Sequence, residues 1–353
     1  QGVSRSTPAV VAAMAGGVDV IGDIELFAGV VDAPVIAVTG SNGKSTVVSW
    51  ISSVLSSTGI HAVACGNIGQ PALDSLETDA DVYVIELSSY QIESTRSLRP
   101  LSAAVLNISE DHLDRYDNIE QYASVKRKIL DGAKFCVANR DDPRTWPIHE
   151  TEGSLEYFSI AVDDSDGARW HRKLKDDRTW LCDDKTVLID QDELSVPGDH
   201  NAANALAVLA LIEPLSLSFE AVHESLVRFP GLPHRSQLVG EYDGVRWYND
   251  SKGTNIDACA KAIQSMPGPV ILIAGGIAKG ADFTSLRSIV QQRVRLLVLI
   301  GRDRSQIASQ LQDAAEIEIA DDMRQAVGIC KCQAQCGDVV LLSPACSSFD
   351  MYK

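Results

Sequence analysis

Val35-Ile-Ala-Val-Thr-Gly40-Ser-Asn-Gly43-Lys44-Ser45-Thr46 decides the fold: an apolar strand runs through a glycine turn into a helix. The glycines let backbone amides curl around phosphate oxygens, the helix N-terminus favours negative charge, and Lys44 can reach the outer phosphates. Ser45 or Thr46 can offer a hydroxyl to a magnesium ion carried by those phosphates. The stretch departs from the general GxxxxGK[ST] pattern once, with Val38 in place of the first glycine. With a strand before it and a helix after it, the turn reads as a site for a nucleoside triphosphate.

Outward from this turn the chain alternates strand and helix. Short apolar runs at 35–38, 82–87, 103–108 and 135–138 are separated by helical patterns such as 45–57 and 119–130. Such runs imply a mostly parallel sheet covered on both faces. Residues 157–160, 180–182 and 186–189 break the rhythm and read as a small antiparallel annex, and 201–212 reads as a buried helix. The prolines and glycine of Phe229-Pro-Gly-Leu-Pro-His-Arg235 mark a boundary. Beyond it a second alternation places strands at 245–248, 270–274, 296–300 and 339–342. The expected class is α/β, a central P-loop mononucleotide-binding domain with a parallel sheet followed by a Rossmann-like α/β domain.

Composition limits the function. The chain has 353 residues and a formal net charge of −17, from 48 acidic and 31 basic side chains. That excess repels nucleic acid and anionic lipid over most of the surface, so a phosphate ligand needs a local pocket. No uncharged apolar stretch approaches the ~18 residues of a membrane-spanning helix. The 8 cysteines lack the clustering of a disulfide framework and read as reduced thiols of a cytoplasmic protein. Cys330, Cys332 and Cys336 could begin a zinc site, but without paired CxxC spacing they read as buried thiols on a helix. Arg5 and the apolar residues 8–15 mimic a short signal peptide, but an amphipathic helix over 8–16 is the better reading.

Two further strands end in polar groups. Glu86-Leu-Ser-Ser-Tyr-Gln-Ile-Glu93 puts a carboxylate at a strand's C-terminal end, suited to magnesium but equally compatible with a solvated strand end. Asn107-Ile-Ser-Glu-Asp111-His112-Leu-Asp114-Arg115 does the same with a histidine. A lone histidine is more often structural. Lys44, Glu86 and His112 delivered to one sheet edge form a much less accidental set.

Together these motifs resemble the Mur ligase family, ATP-dependent enzymes that build the peptide of bacterial cell-wall precursors. The loop Gly40-Ser41-Asn42-Gly43-Lys44-Ser45-Thr46 is similar to that family's shortened phosphate loop. The resemblance extends through Gly66-Asn67-Ile68-Gly69, Glu86-Leu-Ser-Ser89, Glu110-Asp-His112-Leu-Asp-Arg-Tyr116, His200-Asn201, Gly231-Leu-Pro-His-Arg235, Asn249-Asp250-Ser-Lys252-Gly-Thr254-Asn255 and Leu341-Leu-Ser-Pro-Ala-Cys346. It is strongest toward the family's D-glutamate-adding branch.

The resemblance implies ATP and two magnesium sites, with UDP-N-acetylmuramoyl-L-alanine and D-glutamate as substrates of a monomeric amide ligase. Lys44 and Ser45 would bind ATP and metal, and Glu86 would share the first metal. His112 and a carbamylated Lys126 would serve the second, although by spacing alone Lys126 and Lys128 are ordinary helix-surface lysines. Asn67 would meet the muramoyl-alanine substrate. Asn204, Arg235 and Asp250 match adenosine and phosphate contacts, while Lys252, Thr254, Lys279, Ser348 and Phe349 match the D-glutamate region. The implied domains are a 1–22 remnant of a UDP-binding domain, an ATP-binding domain at 23–231 and an amino-acid-binding domain at 232–353, with both ends read as short. Another Mur-type or folylpolyglutamate-type ligase, or a P-loop NTPase without ligase activity, remains open at this point.

Overall fold

The structure is a computed structural model that describes residues 7–110, 115–162, 167–278 and 280–351. The chain divides into two compact units, Gln1–Pro230 and Gly231–Lys353.

The first unit is built on a nine-stranded sheet. Its strands are β1 (Val35–Thr39), β2 (Ala62–Gly66), β3 (Val82–Glu86), β4 (Ser102–Val105), β5 (Phe135–Asn139), β6 (Ser154–Val162), β7 (Trp170–Lys175), β8 (Arg178–Cys182) and β9 (Val187–Asp190). Their order is β2-β3-β1-β4-β5-β6-β7-β8-β9, with every pairing parallel up to β7. β1 and β3 are buried along their whole length, the signature of a sheet covered on both faces. The annex is corrected in two ways: β6 pairs parallel with β5, so the main sheet continues into it, and only β7–β9 are antiparallel. Trp170–Lys175 has no apolar run to read, since His171, Arg172, Lys173 and Lys175 make up most of it and Arg172 fills a buried position.

The helix Lys44–Ser57 buries Val47, Val48, Trp50, Ile51, Val54 and Leu55 on a stripe of helical period. Trp50 is its anchor, donating from Nε1 to Leu226 O at 3.0 Å and stacking on Phe229 with 4.8 Å between ring centroids. The helix Asp199–Ile212 is buried nearly all round, as its sequence implies, and its Leu211 carbonyl accepts from Ser102 Oγ at 2.7 Å. Pro8–Ala15 is helical as expected but not amphipathic, since its residues, PAVVAAMA, include no polar side chain to form a second face.

The second unit has a six-stranded sheet in the order β10-β11-β15-β12-β13-β14. The strands are β10 (Gln237–Tyr242), β11 (Val245–Asn249), β12 (Val270–Gly275), β13 (Val294–Ile300), β14 (Glu316–Ile319) and β15 (Val339–Leu342). Only β10–β11 is antiparallel. Separate apolar clusters cover the two faces, one around Leu272, Leu297 and Leu341 and one around Ile271, Val298 and Val340. The edge strands β10 and β14 mix polar and apolar residues and are mostly uncovered, so they present no continuous apolar run.

Candidate active site

At the C-terminal end of β1 the chain turns through Gly40, at φ 153°, and Gly43, at φ 85°. A Cβ on Gly40 would meet Leu106 Cβ at 3.1 Å, and one on Gly43 would meet Asn204 Oδ1 at 2.7 Å. Both positions therefore require glycine on conformation as well as space. Gly43 caps the helix Lys44–Ser57 and has no side chain with which to close its first turn, which suits an external anion. Lys44 folds back across the loop, its Nζ donating to Gly40 O and Ser41 O at 2.9 Å each. Thr46 is buried and Ser45 half-buried beside it.

Glu86 ends the neighbouring β3, in register with Val38 on one side and Gly66 on the other. It is 3% exposed, so the solvated strand-end reading does not hold. Asn67 grips it twice, through its backbone N–H to Glu86 O and its Nδ2 to Glu86 Oε1, both 2.9 Å. Among the described residues Glu86 Oε2 is buried with no hydrogen-bond partner. A carboxylate oxygen left so costs about 1–3 kcal/mol or more, and a divalent cation would satisfy it. No three His, Cys, Asp or Glu side chains form a metal cage among the described residues. Magnesium needs none, because one carboxylate and substrate phosphates suffice. The residues fit the ion.

Lys126 departs most from its reading by spacing alone, as a helix-surface lysine. It lies on the helix Ile119–Arg127 at 1% exposure, whereas Lys128 is exposed. Its Nζ donates to Gly40 O at 2.9 Å and Thr39 Oγ1 at 3.2 Å and sits 4.8 Å from the centre of the Tyr122 ring. A signal was present: positions 119, 122, 123, 126, 129 and 130 form one helical stripe, apolar except at the lysine. His112 lies outside the described residues. Just after it, Arg115 and Tyr116 both bond Glu93, at 2.6 and 2.7 Å. Burial first, and the Glu93 bond with it, raises the Tyr116 phenol well above its ordinary value.

Sequence reasoning missed the groups that brace the loop. Ser41 N–H donates to Asn107 O at 2.8 Å, and Ser109 N–H donates to Ser41 Oγ at 2.9 Å. Ile108 N–H is held by Asp142 Oδ2 at 2.7 Å. Asn107 was legible as a polar strand end, but its role depends on which strand lies beside β1.

In the second unit Asp250 follows β11 and is 7% exposed. It accepts from Ser343 Oγ at 2.7 Å and from Ser236 N–H at 3.0 Å. Burial raises its pKa to about 6, against the lowering effect of those bonds and of the Arg235 charge. Around it His234, Ser236 and Ala345 hold positive φ of 65°, 43° and 56°, backbone strain of a kind that gathers at functional sites. Lys252 and Thr254 are exposed on the turn that follows, and Lys279 lies outside the described residues. A cavity of about 70 Å³ opens at the C-terminal ends of the strands, lined by Ser251, Gly275, Gly276, Ser348 and Asp350 among others. Of the described residues expected around D-glutamate only Ser348 lines it, and Phe349 is 80% exposed. Of the three cysteines expected to be buried, only Cys330 is; Cys332 and Cys336 are exposed, one on the outer face of its helix and one beyond its end.

Comparison with known proteins accords with this geometry. The chain is 45% identical over 354 residues to the UDP-N-acetylmuramoylalanine--D-glutamate ligase of Nitrosococcus oceani, covering 99% of this chain and 78% of that protein. It is 43% identical to the ligase of the same name from Vibrio campbellii, with the same coverage. Among solved structures, UDP-N-acetylmuramate-alanine ligase from Thermotoga maritima matches with a TM-score of 0.68 at 20% identity, over 98% of this chain and 80% of that one. FolC of E. coli in complex with DHPP and ADP matches with a TM-score of 0.71 at 18% identity, over 99% of this chain and 96% of that one. At such identities the two structures establish the shared fold alone. Residues 38–212 match the Mur ligase middle domain and residues 234–346 the Mur ligase, glutamate ligase domain. With its phosphate loop in the first match, Asp250 in the second and such relatives along nearly its whole length, the chain belongs to the Mur ligase family.

Proposed function

We propose that this protein is the ATP-dependent ligase that joins D-glutamate to UDP-N-acetylmuramoyl-L-alanine in peptidoglycan precursor synthesis. The observation that carries the reading is that the glycine loop with Lys44 and the orphaned Glu86 Oε2 stand at the same end of two adjacent parallel strands. The choice of D-glutamate rests on relatives of that name at 42–45% identity.

A carboxylate is a poor acylating agent, so the substrate carboxylate first attacks the γ-phosphorus of ATP, giving an acyl phosphate and ADP. Lys44 would stabilise the charge gathering on the β,γ-bridging oxygen and γ-phosphate. Glu86 and Ser45 would hold a magnesium ion, which would supply Lewis-acid stabilisation of the phosphate charge. The D-glutamate amine then attacks the acyl carbon, inorganic phosphate leaves, and the nitrogen loses a proton. Asn67 would orient Glu86 as well as meet the muramoyl-alanine substrate. Asn204, Arg235 and Asp250 would hold the adenosine side, and Lys252, Thr254, Lys279, Ser348 and Phe349 the amino acid.

Lys126 would act as a carbamate. Its ammonium first gives up one proton, and the free amine then adds to carbon dioxide and releases a second, so a cation becomes an anionic oxygen ligand; with His112 it would serve a second metal. Its burial against Gly40 supports this reading, since such a site sets the side chain next to the phosphate loop. The assignment divides the chain into an ATP-binding domain at 23–231, with 1–22 belonging to a preceding UDP-binding domain, and an amino-acid domain at 232–353. Six buried and two exposed free thiols support a cytoplasmic location, and the protein is proposed to act as a monomer.

The test is phosphate release by the full-length protein against a panel of amino acids. Turnover requiring both UDP-N-acetylmuramoyl-L-alanine and D-glutamate supports the assignment. A preference for L-alanine, a diamino acid or a folate acceptor would transfer it to another ligase, and hydrolysis indifferent to both substrates would leave an NTPase.

A further inference from the structure

We propose that Asn107 is a positioning residue for ATP, the side chain that sets the phosphate loop in its binding shape. The inference rests on the phosphate-loop reading above but concerns a residue outside the loop and outside the expected site. Asn107 leaves the sheet two residues after β4, the strand beside β1. Its amide closes a two-way clamp on Asn42: Oδ1 accepts from Asn42 N–H at 2.8 Å, and Nδ2 donates to Asn42 O at 3.0 Å. Its own carbonyl accepts from Ser41 N–H at 2.8 Å. One residue thus bonds both polar backbone groups of Asn42 and the amide before it. A primary amide is suited to this, because it presents one acceptor and one donor side by side.

The clamp is itself held rigid from the next strand. Asn139, the last residue of β5, donates from Nδ2 to Leu106 O at 3.0 Å, and Asp142 Oδ2 accepts from Ile108 N–H at 2.7 Å. These contacts fix the backbone on either side of Asn107, so its side chain has little freedom to swing away. The loop approaches closely enough that a Cβ on Gly40 would lie 3.4 Å from both Asn107 N and Asn107 O. The order passes from β5 to β4 to the loop. Its consequence is that Ser41 and Asn42 direct their amides to Asn107, while the turn from Gly43 into the helix is left to face phosphate.

The test is calorimetric binding of magnesium with a non-hydrolysable ATP analogue to full-length Asn107→Leu, which keeps the volume and loses both side-chain bonds. Two neutral hydrogen bonds lost from a loop that must be ordered predict a dissociation constant raised about tenfold. In steady state the KM for ATP should rise similarly while the KM for D-glutamate stays within about twofold. A purely structural role would lower the melting midpoint and leave the affinity of the folded fraction unchanged, and that result overturns the proposal. Should the leucine variant not fold, Asn107→Ala decides on the same readout. Absence of analogue binding by the parent protein would instead defeat the functional reading, a separate and visible failure.

Discussion

Lys44 and Lys126 donate to the same oxygen, the Gly40 carbonyl, each at 2.9 Å. Two ammonium groups drawn to one oxygen repel each other. The arrangement suits a site that receives anions: a triphosphate meets Lys44, and a carbamate on Lys126 would convert the repulsion into attraction.

Removing Lys44 should therefore weaken ATP strongly. Lys44→Ala loses a charge-assisted phosphate contact worth at least about 2 kcal/mol, a rise of about thirtyfold in the dissociation constant. Calorimetry on the folded variant checks this, and near-parental affinity would refute the phosphate-loop assignment.

Lys126→Ala should cost at least about a hundredfold in turnover, the scale of losing a metal-supporting group. Short carboxylic acids added to the variant should restore part of it by supplying the missing oxygens. Carbon-13 bicarbonate should give the parent protein a carbamate resonance that the variant lacks. Unchanged turnover would leave Lys126 a structural cation.

Much of this site was legible in the sequence. The strand, the glycine loop and Lys44 are contiguous, so local pattern sufficed. Glu86 was legible as a strand end, but its burial depended on Asn67, which arrives from a different strand. By spacing alone Lys126 reads as a surface residue, because its charge masks the apolar stripe on its helix; only the family resemblance pointed to it. Asn107, Asn139 and Asp142 act only because β1, β4 and β5 lie in that order, which no single stretch encodes. In the second unit the buried strands announced themselves, while β10 and β14, wet on most of their length, did not.

Asp250 should make stability depend on acidity. Its folded pKa, about 6, lies above the ordinary 3.8, so the native state holds its proton more tightly than the unfolded chain does. The resulting stabilisation is complete below about pH 4 and is lost as pH rises through about 6, an effect of about 3 kcal/mol at most. Asp250→Asn should flatten the pH dependence of thermal stability across that window. An equally steep slope in the variant would place the titration elsewhere.

Trp50 ties the phosphate-loop helix to the end of the first unit. Trp50→Phe keeps an aromatic ring against Phe229 but leaves the Leu226 carbonyl without its indole donor, at a cost of about 1–3 kcal/mol. Trp50→Ala should cost about 3–5 kcal/mol through the added cavity. Denaturant midpoints check both, and equal losses would mean that the hydrogen bond, and not the ring, carries the contact.

The most direct measurement of the central claim follows oxygen. UDP-N-acetylmuramoyl-L-alanine labelled with oxygen-18 in its alanyl carboxylate is turned over with ATP and D-glutamate, and the released phosphate is analysed by mass. An acyl phosphate route transfers one labelled oxygen to each phosphate as the amide forms. Phosphate carrying no label would show that the carboxylate never attacks ATP, and would contradict the ligase assignment.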